Sequence, residues 1–134
     1  MKQALSIEQM KHLKDLGLDT SDASMHWQFL PTADSIINGT DEIEKEPCLF
    51  VSQPNMKHEY PAYILQDILG KLPCFIGNEV LTMQKLADSY TCLYMESYTR
   101  SMIKITESKE PINAAYDMLC WCIENGYVKV GKEE

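Results

Sequence analysis

A chain of 134 residues with 45% apolar and 24% charged side chains has the size and composition of one globular domain, which hides roughly two-thirds of its unfolded surface on folding. Its 12 basic against 20 acidic side chains give a net charge of −8 without any run of lysines or arginines, so binding to nucleic-acid phosphates would work against the protein's own field. No stretch approaches the roughly 20 apolar residues of a membrane span, and the amino terminus MKQALSIEQM carries charges where a signal peptide needs an apolar run.

These bounds predict a cytoplasmic protein with no membrane contact and no direct nucleic-acid binding, whose partners are other proteins or further copies of itself. The 5 cysteines, Cys48, Cys74, Cys92, Cys120 and Cys122, make an odd number without the spacing of a disulfide framework. Reduced, mostly buried thiols are the expectation.

Ser6 followed by Gln9 is a capping box that opens a helix over Ile7 to Leu16, with Leu5 and Met10 placed as a hydrophobic staple. Gly17 suits the left-handed residue that closes it, and Leu18 can then pack back on Leu13. Met10, Leu13 and Leu16 form its apolar stripe, with Ile7 at the edge. Asp19 to Ser24 reads as a turn, because these side chains bond their own backbone. A short strand over Met25 to Leu30 follows.

The stretch PTADSIINGTDEIEKEP, Pro31 to Pro47, holds five carboxylates and one lysine. It reads as a flexible acidic loop or short irregular excursion. Cys48 to Val51 has strand character and ends at Gln53-Pro54-Asn55. A second helix lies between Pro61 and Pro73, with Ile64, Leu65, Ile68, Leu69 and Leu72 on one broad face. Glu79 to Leu86 and Tyr90 to Glu96 flank Ala87-Asp88-Ser89 as a hairpin, and Ser101 to Thr106 extends the meander.

The last helix, Ile112 to Asn125, has Pro111 in its first turn and Gly126 past its end. Ile112, Ala115, Tyr116, Leu119, Cys120, Cys122 and Ile123 form one wide apolar face, opposite the narrow polar face Asn113, Asp117 and Glu124. A second apolar row, Ala114, Met118 and Trp121, lies on the flank. No βαβ rhythm occurs. The reading is one α+β domain over 1–134, a mainly antiparallel sheet of about four or five strands covered by three helices.

The runs IEQMKHLKDLGLDTSDASMHW (Ile7 to Trp27), AYILQDILGKLP (Ala62 to Pro73) and NAAYDMLCWCIENGYV (Asn113 to Val128) resemble small uncharacterised proteins of gut Bacteroidales genomes, often from phage-like or mobile regions. The three runs cover well under half of the chain. The resemblance implies a small domain in a phage or mobile-element setting and carries over no catalytic residue. The sequence departs from that pattern mainly over Pro31 to Pro47.

Cys120-Trp121-Cys122 is a poor metal site, because residues two apart on a helix point about 200° from each other and a structural zinc site wants four ligands. Core packing is the simpler role. His12, His26 and His58 stand singly; His58 with Glu59, or His26 with Cys48, are the pairings that a catalytic reading would need. Nucleophile-elbow, phosphate-loop and dinucleotide-binding motifs are absent from the sequence. Asp41, Glu42, Glu44 and Glu46 lack the pattern of a calcium loop, and read as a solvated acidic segment or, alternatively, as a phosphate mimic.

The flank row Ala114, Met118 and Trp121 must be buried by the first helix, by a partner or by a second copy, since Trp and Met are favoured at interfaces. The leading functional reading is a non-enzymatic protein-binding or adaptor domain without cofactor or metal. Its rivals are a small enzyme built from scattered His, Cys, Asp and Glu residues, and an acidic nucleic-acid mimic.

Overall fold

The structure is a computed structural model that describes residues 1–53 and 56–131. Its elements in order are α1 (Ile7–Asp15), β1 (Met25–Gln28), α2 (Ala33–Asn38), β2 (Cys48–Val51), β3 (Tyr60–Ala62), α3 (Leu65–Lys71), β4 (Phe75–Ile76), β5 (Glu79–Lys85), β6 (Tyr90–Met95), β7 (Met102–Ser108) and α4 (Pro111–Glu124). The α+β class holds. The strands, all antiparallel, form two sheets rather than one, β2-β1-β3 and β4-β5-β6-β7.

Local chemistry explains the two best-signalled helices. At the start of α1 the Ser6 hydroxyl accepts from the Gln9 N–H at 3.1 Å, and Gln9 Oε1 accepts from the Ser6 N–H at 3.0 Å, so two otherwise free amides are satisfied reciprocally. At its end Leu18 N–H reaches Leu13 O and Gly17 N–H reaches Lys14 O, a double closure that needs φ of +102° at Gly17. Helix α4 ends the same way. Tyr127 N–H bonds Cys122 O and Gly126 N–H bonds Ile123 O, with Gly126 at φ +81°.

Three elements escape the sequence signals. The acidic stretch holds the short helix α2, capped by the Thr32 side chain at the Ser35 N–H, where an irregular loop was expected. Strand β3 contains Pro61 and is tolerated because it lies at the edge of its sheet. Strand β4 has only two residues.

One core joins α1, α3 and α4 to the inner face of the four-stranded sheet: Leu5, Met10, Leu13, Tyr63, Ile68, Tyr94, Ile112 and Leu119 are among its members. Helix α4 is its centre, and the flank row is not a free surface. Ala114 and Met118 are fully buried and Trp121 is half-buried, so the row offered as a possible interaction surface is covered within the domain, by β7 rather than by the first helix. The reason is the direction in which α4 meets the sheet. Thr106 Oγ1 donates to Ala114 O at 2.7 Å, and Lys104 Nζ lies 6.0 Å from the Trp121 ring, so the inward side of β7 runs along this row. The wider face is shared: Cys122 lies beside Cys92 and Tyr94 of β6, while His12 of α1 meets Tyr116 edge-on and α3 packs on α4.

Asn113, expected to face water, ties the amino terminus to α4. Its Oδ1 accepts from Gln9 Nε2 and Lys2 Nζ, both at 3.0 Å, and Lys2 N–H donates to Glu110. Among the described residues no helix is long and apolar enough to cross a membrane.

Burial of Met118 within the chain leads to a stability prediction. Met118→Ala should lower the unfolding free energy by about 2–5 kcal/mol in urea titration and leave the molar mass by light scattering unchanged. A change in mass with little loss of stability would return this row to the surface.

Candidate functional site

Register decides which side chains of the four-stranded sheet look outward, because directly opposed residues share a face. Leu81 and Met83 of β5 oppose Tyr94 and Cys92 of β6, and Cys92 and Tyr94 oppose Thr106 and Lys104 of β7. These residues face α4 and the core. The alternating set therefore lies on the other side: Phe75, Val80, Thr82, Leu93, Met95 and Ile105. A register shift at Tyr94/Met95 sets Met102 opposite Met95, and Ile103 joins this outer side.

On this outer side Leu93 and Thr91 of the inner strand β6 are buried, and the exposed apolar side chains lie toward the two rims, on β4 and β7. Phe75 is 63% exposed, Ile105 48% and Ile103 39%, with Met102 also exposed. In β7 the usual rule is inverted, since a half-buried strand normally turns its branched apolar residues inward. Here Lys104 and Thr106 point to α4 while Ile103 and Ile105 point out. Monomers rarely leave contiguous apolar surface beyond a few hundred Å² uncovered, and such patches usually serve association.

Two further features belong to this sheet. Thr91, paired with Gln84 and Glu107 on the outer side, is buried, and its Oγ1 has no hydrogen-bond partner. The free edge at β7 carries an inward-facing lysine and a bulge, two devices that discourage edge-to-edge strand addition. The face, not the edge, is open for contact.

The histidines assemble differently from either expected pairing. His26, only 8% exposed on β1, stacks on His58 with ring centroids 3.8 Å apart and planes at 10°. On β2 Phe50 stacks against His26 at 5.9 Å. Cys48 pairs in register with Gln28 instead. His26 Nδ1 lies 3.2 Å from Ser52 Oγ, and His58 Nε2 accepts from the Gln53 N–H at 3.4 Å. No spacing rule could have brought these rings together, since the contact depends on the β1–β2 register and on the return of the chain into β3. His12 stays on the surface of α1.

Grooves flank the stack. One of 510 Å³ runs between the Asp19 to Ser24 turn and the segment carrying Ser52, Gln53 and His58, and another of 540 Å³ lies beside His26, His58 and Tyr60. Around the turn, the Tyr63 hydroxyl meets Asp22 Oδ1 at 3.0 Å and Asp19 O at 3.1 Å, and Asp67 accepts from both the N–H and the hydroxyl of Ser24 and from the Ile64 N–H. These bonds hold the turn against the start of α3. Asp41, Glu42, Glu44 and Glu46 are all exposed, on a segment tied back by Thr32 N–H to Glu42 O and by Glu44 N–H to Leu30 O.

The strongly displaced acids sit in the core rather than in the grooves. Burial pushes the Cys92 thiol up to about 12, and burial pushes Cys120 and Cys122 up to about 11. Burial, followed by the nearby Asp22 carboxylate, lifts Tyr63 above the usual tyrosine range, and burial does the same for Tyr94 and Tyr116. Thiols held in the neutral form are poor nucleophiles and poor metal ligands. Among the described residues no group of three or more His, Cys, Asp and Glu side chains is placed to hold a metal ion.

Two measurements follow from this distribution. A thiol reagent at pH 7.5 should modify Cys48 and Cys74, which are exposed, and reach Cys92, Cys120 and Cys122 only after denaturation. The folded state holds the protons of these thiols and tyrosines more tightly than the unfolded chain does, so their contribution to stability is complete below about pH 9. It falls away as pH rises through 9 to 12. Urea midpoints that stay level up to pH 11 would contradict this.

No protein-family model, curated protein or solved structure matches the chain.

Proposed function

We propose that the chain is a non-enzymatic protein-binding domain whose working surface is the outer face of β4-β5-β6-β7. The observation that carries this reading is the inverted strand β7. Ile103 and Ile105 are exposed on the edge strand of a face that also holds Phe75, Val80, Met95 and the buried Leu93. Burying such side chains on association contributes about 25 cal/mol per Å² of apolar surface removed from water. A sheet face with apolar side chains and a polar end at Gln84 and Glu107 has the anatomy of an association patch.

A cytoplasmic site of action and a phage or mobile-element setting complete the proposal, the latter supported by the three sequence runs that resemble Bacteroidales proteins. The chain's net charge of −8 keeps it soluble and steers basic surfaces toward it.

The test compares affinity capture by the wild type, by Ile105→Lys and by Ile37→Lys, the last a control at an exposed apolar position on α2. A lysine within a buried patch should weaken retention of the partner at least tenfold, as expected for a residue worth more than about 1.4 kcal/mol. The Ile37 control should retain it. Light scattering on the same proteins shows whether the partner is a second copy. Equal retention by Ile105→Lys and wild type would remove the sheet face as the working surface.

A further inference from the structure

We propose that strand β2 is a docking edge for a second copy of this chain, the two copies pairing antiparallel through Leu49 and Val51. In the three-stranded sheet β1 is central, and β2 and β3 are the edges. The β3 side is closed. Helix α1 packs on β3, and just past it Leu5 N–H donates to Tyr63 O at 2.9 Å while Ala4 bridges Ile64. Among the described residues no strand pairs with the outer side of β2.

The ladder fixes which backbone groups face that side. Opposed residues of an antiparallel pair alternate between those that exchange both hydrogen bonds and those that exchange none. Ser52 N–H donates to Ser24 O at 3.0 Å, so the bonded positions are Ser52, Phe50 and Cys48. The N–H and C=O groups of Leu49 and Val51 therefore point away from β1, and among the described residues no other backbone group bonds them. The side chains do not block an incoming strand either. Edges are commonly guarded by charge, proline or a bulge, and β7 has a lysine and a register shift. Strand β2 reads CLFV in even register with β1, with Phe50 37% and Val51 70% exposed.

The same stretch selects its own copy. From Cys48 to Gln53 there is no Asp, Glu, Lys or Arg, so the edge offers a foreign strand no charge to read. Two copies crossing at Phe50 set no like charges opposite each other. In that register Leu49 of each copy opposes Val51 of the other, and both pairs exchange two backbone bonds. Cys48 opposes Ser52, and Glu44 and Glu46 fall outside the paired stretch. An antiparallel crossing is two-fold symmetric, the arrangement of most dimers. The net charge of −8 acts against association at long range, and salt screens that opposition. This edge and the face around Ile105 belong to different sheets, so either surface can work without the other.

The experiment is sedimentation equilibrium of the full chain at concentrations up to about 1 mM, in about 0.15 M and about 1 M salt, with amide exchange followed by NMR. The wild-type mass should double as concentration rises, earlier at the higher salt, and the amides of Leu49 and Val51 should exchange more slowly as the dimer fills. Val51→Pro removes one outward N–H from each copy but none that β1 uses. It should raise the dissociation constant about tenfold or more with little change in the urea midpoint. Ile105→Lys should dimerise like the wild type. A wild type that stays monomeric overturns the proposal and leaves the edge to a foreign strand. Undiminished dimerisation of Val51→Pro overturns it too, and loss of that dimer in Ile105→Lys would assign self-association to the sheet face. Should Val51→Pro fail to fold, the wild type still decides: a dimer whose Leu49 and Val51 amides exchange as fast as in the monomer overturns the pairing.

Discussion

Helix α4 is buried on two flanks at once, and the placement of every other layer depends on that. Its row Ala114, Met118 and Trp121 lies along β7, with Thr106 bonded to Ala114 O at one end and Lys104 near the Trp121 ring at the other. Its wide face meets β6 through Cys122 and takes α1 and α3 as well. A 14-residue helix with nine buried residues leaves little room for an independent second core. Both ends of the chain close on it: Lys2 and Gln9 bond Asn113, and past Gly126 the chain turns back so that Tyr127 stacks on Trp121 at 5.3 Å.

That arrangement has a cost for the sheet. Only one face of β4-β5-β6-β7 can meet α4, and the three-stranded sheet forms a separate layer around β1. The outer face is therefore left without a helix, yet it carries apolar residues of the kind a covered sheet buries. Phe75, Val80, Met95, Ile103 and Ile105 are side chains that gain most by leaving water. Thr82, Gln84 and Glu107 share that side, while β7 carries its lysine on the covered one. The sequence thus accepts an inward Lys104, whose ammonium lies over the Trp121 ring, 6.0 Å from its centre. In return it keeps Ile103 and Ile105 on the outer side and the β7 edge unattractive to strand addition.

Legibility in the sequence followed the range of the physics. The caps of α1, the closing glycines Gly17 and Gly126 and the β5–β6 hairpin rest on residues within a few positions of each other, and all were readable. The short helix α2 was masked by its polar composition, although Thr32 and Gly39 carry cap chemistry. Strand β3 was hidden by Pro61. The faces of α4 were correctly divided into a wide and a narrow apolar row, but a helical wheel says nothing about which neighbour takes which row. The exposed face of β7 was unreadable for a similar reason: its outward set follows from pairing with β6 and from the shift at Tyr94/Met95, neither of which is local. The histidine stack was invisible too, since it joins β1 to a segment beyond β2.

The distribution of titratable groups separates structure from function. The acids with the largest displacements, Tyr63, Tyr94, Tyr116, Cys92, Cys120 and Cys122, are neutral members or neighbours of the core, and burial accounts for each. A catalytic centre displaces acids inside a cleft that a substrate can enter, whereas these lie where side chains fill the space. The groove beside the Asp19 to Ser24 turn instead holds carboxylates already engaged in holding it, as Asp22 does with Tyr63 and Lys71 and Asp19 with the Ser21 N–H. Among the described residues the sheet face around Ile105 is one of the places where large apolar side chains stay exposed. An exposed apolar surface recognises shape and dryness rather than a reactive group, and the proposal of a protein-binding role rests on that property.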